Sequence, residues 1–164
     1  MKIAALFFTF ISTVVSAKEI RTEILIQAPP EKVWAILTDF NRYAEWNPFI
    51  RSVTGEVAVG KEITILLAPP ESSEMTFSPT ILAFEPNKEL RWLGHFWFTG
   101  LFDGEHTFEL IDNGNGTTTF KQSEDFGGIL VPFFSTKLDV NTVNGFKLMN
   151  EKLKELAEKI ERLE

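Results

Sequence analysis

Cysteine is absent from the 164 residues. That excludes disulfide staples, thiol catalysis, lipid-modified cysteine and thiolate metal sites. Histidine occurs only twice, so no recognised metal-ligand spacing can be assembled, and neither a metal nor a cofactor is expected. There is no Gly-x-Ser-x-Gly elbow and no phosphate-cradling glycine loop; Gly114-Asn115-Gly116 is better explained as a turn. Basic residues are the minority, 16 Lys and Arg against 23 Asp and Glu, for a net charge of −7. No basic stripe interleaved with aromatics exists, which argues against nucleic acid and against charge-driven adhesion to an anionic membrane. No apolar run reaches the roughly 20 residues of a membrane span. Internal repeats and low-complexity segments are missing too.

What remains is apolar and aromatic in an unusual way. Hydrophobic residues make up 44% of the chain, and there are 16 Phe and 4 Trp against a single Tyr. Phe and Trp bring large apolar surface with at most one polar handle. Such a composition suits either a filled core or a wide core with an apolar hole in it. The length suits one domain.

Met1 to Ala17 reads as a secretory signal. Lys2 is the positive start, Ile3 to Ile11 is apolar apart from Thr9, and Val15-Ser16-Ala17 offers a small residue for cleavage after Ala17. Its loss removes Lys2 and no acid, taking the net charge from −7 to −8. The expected product is a domain spanning 18–164, secreted or periplasmic, with no membrane span of its own. Asn115-Gly116-Thr117 matches a glycosylation sequon in a turn-like setting, a pattern that also arises by chance.

From Glu19 to Gln27 the chain alternates, with Ile20, Thr22, Ile24 and Ile26 on one face, which predicts a strand. Pro29-Pro30 then opens a helix carrying Val33, Trp34 and Leu37. A second short helix spans Tyr43 to Trp46 and ends at Asn47-Pro48. Six strands follow, at 51–57, 62–67, 76–84, 89–98, 104–111 and 117–126. Pro79 makes its strand an edge, bulged or broken. Asp112 to Gly116 is the strongest turn signal and joins the last two strands as a hairpin. From about Val131 a long helix is expected, with Leu138, Phe146, Met149, Leu153, Leu156, Ile160 and Leu163 along its apolar stripe. The stripe weakens at Asn141, Thr142 and Gly145, where small or polar residues leave space or let another backbone approach. These elements predict an α+β domain of about seven antiparallel strands with two short helices after the first. Its void, between a strongly curved sheet and the long helix, is the candidate site.

Several segments then resemble one superfamily in order and spacing. They are Ala28 to Trp34, Trp46-Asn47-Pro48-Phe49, Leu90-Arg91-Trp92, Gly104 to Phe108, and Thr117 with Glu124 to Gly128. Together they resemble the START-like (SRPBCC) superfamily, the helix-grip proteins that include polyketide cyclases, lipid-transfer domains and plant allergen-type carriers. The resemblance covers nearly all of the chain after Ala17. It implies a ligand cavity between the sheet and the C-terminal helix. It implies no reaction, because carriers and enzymes share the architecture.

The polar residues of interest are His106, Gln122 and Glu124. His106 shares strand parity with Phe108 and Leu110, and Gln122 and Glu124 share it with Phe120 and Phe126. Burying the phenylalanines turns the polar residues inward as well. Two registers keep that parity, one setting His106 opposite Gln122 and the other opposite Glu124. Three readings are open: a buried pair that satisfies only itself, an anchor for a ligand hydroxyl or carbonyl, or a proton-transfer pair. Trp46, Trp92, Phe108, Phe120, Phe126, Phe134, Leu138, Thr142 and Met149 complete the expected lining. Arg91 and His95 fall on the opposite face from Trp92 and should be solvated. The expected function is a non-catalytic carrier of a hydrophobic small molecule or lipid, monomeric or weakly dimeric. The alternatives are a cyclase- or dehydratase-like enzyme using His106 and Glu124, and a protein-interaction module.

Overall fold

The computed structural model describes residues 18–159 apart from 71 and 96, and for 134–139 it describes the backbone without the side chains. The expected leader at 1–17, the helical positions Ile160 and Leu163, and the side chains of Phe134 and Leu138 therefore lie outside what is described.

The first strand, β1 (Lys18–Ile26), buries Ile20 and Ile26. Helix α1 (Pro30–Leu37) starts on proline, whose missing N–H costs nothing in a first helical turn. It buries Val33, Trp34 and Leu37, worth about 1.5–3 kcal/mol for each large side chain fully removed from water. A 3-10 turn leads into the four-residue α2 (Tyr43–Trp46). Tyr43 is fully buried, donates its hydroxyl to the Leu37 carbonyl at 2.5 Å, and has its phenol pushed far above the ordinary range by burial.

Seven strands follow: β2 (Ile50–Thr54), β3 (Thr64–Leu67), β4 (Met75–Phe77), β5 (Thr80–Glu85), β6 (Glu89–His95), β7 (Asp103–Asp112) and β8 (Thr118–Gly127). They form a five-stranded sheet in the order β1-β8-β7-β6-β5 and a three-stranded sheet β2-β3-β4. All pairings are antiparallel. One strand more than expected arises because the segment 76–84 breaks at Ser78-Pro79 into β4 and β5. Proline has no N–H for a ladder. Its carbonyl still accepts from Ile63 N at 3.0 Å, and a bridge between Glu62 and Thr80 ties the two sheets together.

The last helix, α3 (Val131–Glu158), lies on β1, β8 and α1. Phe146, Met149, Leu153 and Ala157 are its buried stripe. Gly145 is small for a different reason than empty space. A Cβ there would lie 2.2 Å from a ring carbon of Phe49, so the gap in the stripe is filled by that ring. Near the helix end, Lys154 donates to the Leu25 carbonyl at 2.7 Å, and Glu158 accepts from Gln27 N at 2.7 Å. Residues 150–158 thus run alongside β1 from Thr22 toward Gln27. Among the described residues no helix is long and apolar enough to cross a membrane.

Candidate functional site

The β7–β8 hairpin carries the polar group of interest. Its register pairs His106 with Glu124, Phe108 with Gln122 and Leu110 with Phe120. Of the two registers the sequence leaves open, this is the one with imidazole directly across from carboxylate. Parity does the rest: Phe108, Leu110, Phe120 and Phe126 are all buried, so His106, Gln122 and Glu124 share the inner face.

His106 is 3% exposed. Its Nδ1 lies 2.5 Å from Glu124 Oε2. At the other nitrogen, the Gln122 amide donates to Nε2 across 3.3 Å. With Nε2 accepting, Nδ1 carries the proton that Glu124 receives. The ring is packed on by aromatics as well. Trp92 stacks on it at 4.9 Å and 11°, while Phe108 at 4.4 Å and Phe146 at 5.1 Å meet it edge to face. Every hydrogen-bonding position of the imidazole is therefore in use. The carboxylate differs, because the Glu124 side chain keeps 15% of its surface exposed. Its Oε1 sits over Gly104, where a Cβ would approach to 2.5 Å. Glycine at 104 is what gives the carboxylate room. His106 thus has no hydrogen-bonding position left open, whereas Glu124 keeps an exposed edge.

The polar seam continues across the sheet. Gln122 also reaches Met149 Sδ at 3.6 Å, and Asn150 on α3 donates to Thr22 Oγ1 at 2.9 Å. Gln122 Oε1 and Asn150 Oδ1 are buried without a partner. Among the described residues, no group of three or more His, Asp or Glu is placed to hold a metal ion.

Of the residues expected at the site, Trp92, His106, Phe108, Gln122, Glu124 and Met149 come together. Phe120 stacks on Phe108 at 5.9 Å, and Phe126 pairs with Phe102 at 5.6 Å. Thr142 is half-buried on α3. Trp46 goes elsewhere: it meets Tyr43 at 5.2 Å and lines a groove of about 390 Å³ between α1 and the end of α3, with Lys32, Ile36 and Leu156. Gly104 and Phe146 belong to the site and were not expected there. Phe146 is on the helical stripe, so its inward direction was legible; the role of Gly104 depends on a diagonal contact across strands, which sequence does not display.

The reverse face of the hairpin is wet. Arg91 pairs with Glu105 at 2.9 Å and His95 with Asp103 at 2.7 Å, both away from Trp92 as parity requires. Asp125 lines a cleft of about 690 Å³ on this face, among carboxylates and the cations Arg21, Arg91 and Lys121. Partial burial and then Glu19 push its carboxyl above the usual range, with Glu105 and Glu124 adding to the effect and Arg21 opposing it. The folded chain thus holds this proton more tightly than the unfolded chain. Stability from this group is greatest below the ordinary aspartate pKa and falls as pH rises through the raised value. Asp125→Asn should therefore raise the unfolding free energy at pH 7, read from the urea midpoint, by up to about 0.5 kcal/mol for so solvated a site. The gain should shrink as pH falls below 4; an equal gain at both ends of the range would contradict this account.

The sequence matches the profile of the family described as polyketide cyclase / dehydrase and lipid transport over residues 17–161. No curated protein sequence matches it. Among solved structures, the fold is similar to the di-domain ARO/CYC BexL from the BE-7585A biosynthetic pathway, at 13% identity and a TM-score of 0.71. That match covers 88% of this chain and 51% of the other, so the chain spans about half of the di-domain protein. Norcoclaurine synthase from Thalictrum flavum, in complex with dopamine and hydroxybenzaldehyde, is similar at 13% identity and a TM-score of 0.67, with 98% and 99% of the two chains covered. Protein CV1439 from Chromobacterium violaceum is similar at 22% identity and a TM-score of 0.63, with 87% and 98% covered. At such identities the likeness speaks for the fold, a long helix gripped by an antiparallel sheet. On the extent of the profile match and on that fold, the chain belongs to the polyketide cyclase/dehydrase and lipid-transport family of helix-grip proteins.

Proposed function

We propose that the protein is an exported carrier that holds one hydrophobic small molecule or lipid beside Glu124, beneath the first half of α3. The arrangement of three side chains carries this reading. Gln122 and Glu124 occupy both nitrogens of His106, and aromatic rings cover its faces. An imidazole so enclosed fixes the carboxylate instead of reaching a substrate. The carboxylate then offers an oriented acceptor to a ligand hydroxyl or N–H, while Phe126 and Phe102 provide apolar surface for the rest. The helix runs past the sheet in a direction that favours this place. Phe146 stands over His106, and Asn150, one turn on, over Thr22. Thr142, one turn back on the same helix, is half-buried. Export is read from Met1 to Ala17.

A second reading has one observation in its favour. A carboxylate held at 2.5 Å by an imidazole is also how a general base is oriented for proton abstraction, as cyclisation or dehydration requires. One experiment separates the two. Protein purified from the cell is denatured, and the released small molecules and the intact mass of the chain are read by mass spectrometry. A chain beginning at Lys18 and an apolar molecule bearing a hydroxyl or N–H are expected. Glu124→Gln should weaken rebinding by about tenfold, the worth of one charge-assisted hydrogen bond. Conversion of that molecule by the wild type, abolished in Glu124→Gln, would establish the enzyme instead. No released molecule, with no binding from a panel of lipids and aromatics, would sink both.

A further inference from the structure

Two loops at one end of the molecule project large apolar side chains into solvent. In the β6–β7 loop, Trp97 is 83% and Phe98 62% exposed. Between β8 and α3, Ile129 is 65% exposed, and Phe133, in the first turn of the helix, is 79% exposed. The loops are one unit. Ile129 N donates to the Gly100 carbonyl at 3.1 Å and Leu130 N to the Leu101 carbonyl at 3.0 Å. They cross so closely at Gly128, which has a φ of 111°, that a Cβ there would lie 2.6 Å from Leu101 O. Trp97 itself sits at a φ of 65°, a conformation that a bulky residue adopts only at a cost. That cost is spent on an outward-facing indole.

Charge is missing from both loops. No Asp, Glu, Lys or Arg occurs from Phe96 to Phe102 or from Phe126 to Thr136, in a chain that is 24% charged. His95 and Asp103, which flank the uncharged stretch, stand at the base of the loop and are hydrogen-bonded to each other at 2.7 Å. We infer that this end docks on a lipid bilayer by inserting Trp97, Phe98, Ile129 and Phe133 into the interface. All four side chains are mostly exposed, and no charged residue in either loop frames them with a polar rim. A protein partner is met by a packed apolar centre within a polar rim that supplies hydrogen bonds. Projecting, uncharged aromatic and aliphatic tips instead fit a fluid apolar medium, with tryptophan at the level of the head groups. The chain is acidic overall, so attraction to anionic lipid cannot supply the affinity, and insertion must. Docking of this end is independent of whether Glu124 receives a ligand. If it does, the same end brings the inner face near a source of apolar molecules, since Phe102 joins the loop to Phe126.

The test uses protein purified as the cell leaves it and vesicles of phosphatidylcholine, with and without phosphatidylglycerol. The wild type is expected to co-sediment with both and no better with the anionic mixture. Its tryptophan emission should shift to the blue and be quenched by brominated phosphatidylcholine. Trp97→Phe should keep the binding and lose most of the quenched signal. Trp97→Ser with Phe133→Ser should lower the partition coefficient by about tenfold or more, since two large side chains no longer leave water. Val59→Ser, an exposed apolar residue outside both loops, should change nothing. The thermal midpoint of Trp97→Gly should stay level or rise as vesicle binding falls, which a merely structural residue would not produce. Sedimentation without quenching at Trp97, or equal losses in Val59→Ser, would overturn the inference. So would a self-association dispersed by Trp97→Ser in protein that ignores vesicles.

Discussion

Gly145→Ala should unfold the protein at lower denaturant, although alanine is the better helix former. The propensity gain on replacing an interior helical glycine is about 1 kcal/mol. Against it stands Phe49, two of whose ring carbons would lie 2.2 and 2.4 Å from the new methyl. The ring has nowhere to retreat. Asn47 Oδ1 accepts from both Phe49 N at 3.0 Å and Ile50 N at 2.9 Å, pinning the backbone that carries it. Beyond the ring lies Phe146, edge to face at 5.6 Å. Adding a methyl to a filled core costs about 1–3 kcal/mol, and expelling a buried phenylalanine costs about 3–5. The net loss should be about 2–3 kcal/mol after the helical gain, read from the urea midpoint at an unchanged slope. Phe49→Ala combined with Gly145→Ala should cost less than the two single losses added, because the vacated ring space receives the methyl. A neutral or stabilised Gly145→Ala would mean that the ring is not seated there. The consequence reaches the site, since Phe146 also covers the edge of His106.

That pairing of Gly145 with Phe49 shows where sequence reading stops. The weak stretch of the helical stripe was visible and suggested space. The filler comes from the Asn47-Pro48-Phe49 turn, a distant part of the chain, and no local pattern links the two. Elements themselves were legible where the apolar period was strong: β1, α1, the β7–β8 hairpin and the long helix all fall near their expected bounds. The strand break at Pro79 was legible because a missing N–H is a property of the residue. Strand ends were less so: β6 stops at His95 and not at Phe98, because Trp97 turns into the left-handed region. Within the site, parity turned His106, Gln122 and Glu124 inward, since the phenylalanines between them leave one face for all. The register remained double because it is set by the turn. Asp112 Oδ1 accepts from Gly114 N at 2.8 Å, and Asn113 bonds Thr117 and Thr119, which closes the hairpin on the Asp112–Thr118 pair and brings imidazole to carboxylate. Trp46 was misdirected for a simpler reason: a four-residue helix has too few turns to reveal which face is buried.

Removing one member of the polar group should cost more than removing all of it. His106→Leu strands two partners at once, the Glu124 carboxylate and the Gln122 amide, of which Gln122 is fully buried. Leaving a buried hydrogen-bonding group without its partner costs about 1–3 kcal/mol, and more for a carboxylate. The exposed edge of Glu124 lets water return to the carboxylate, which places the expected loss at the lower end. Glu124→Ala leaves the Nδ1 proton of a buried imidazole without an acceptor, for about 1–3 kcal/mol. The triple variant His106→Phe, Gln122→Met, Glu124→Met leaves nothing polar behind and sets a ring between Trp92, Phe108 and Phe146, which already pack as aromatics. It should fold within about 1 kcal/mol of the wild type, as apolar replacement of buried ionic groups often does. It should also fail to rebind whatever the wild type releases. Stability recovered while binding is lost would mean that the fold does not need the seam and the ligand does. If the triple variant were as unstable as His106→Leu alone, the seam would be structural and the carboxylate would lose its claim as an anchor. If it were stable and bound as tightly as the wild type, the ligand would have to sit away from Glu124.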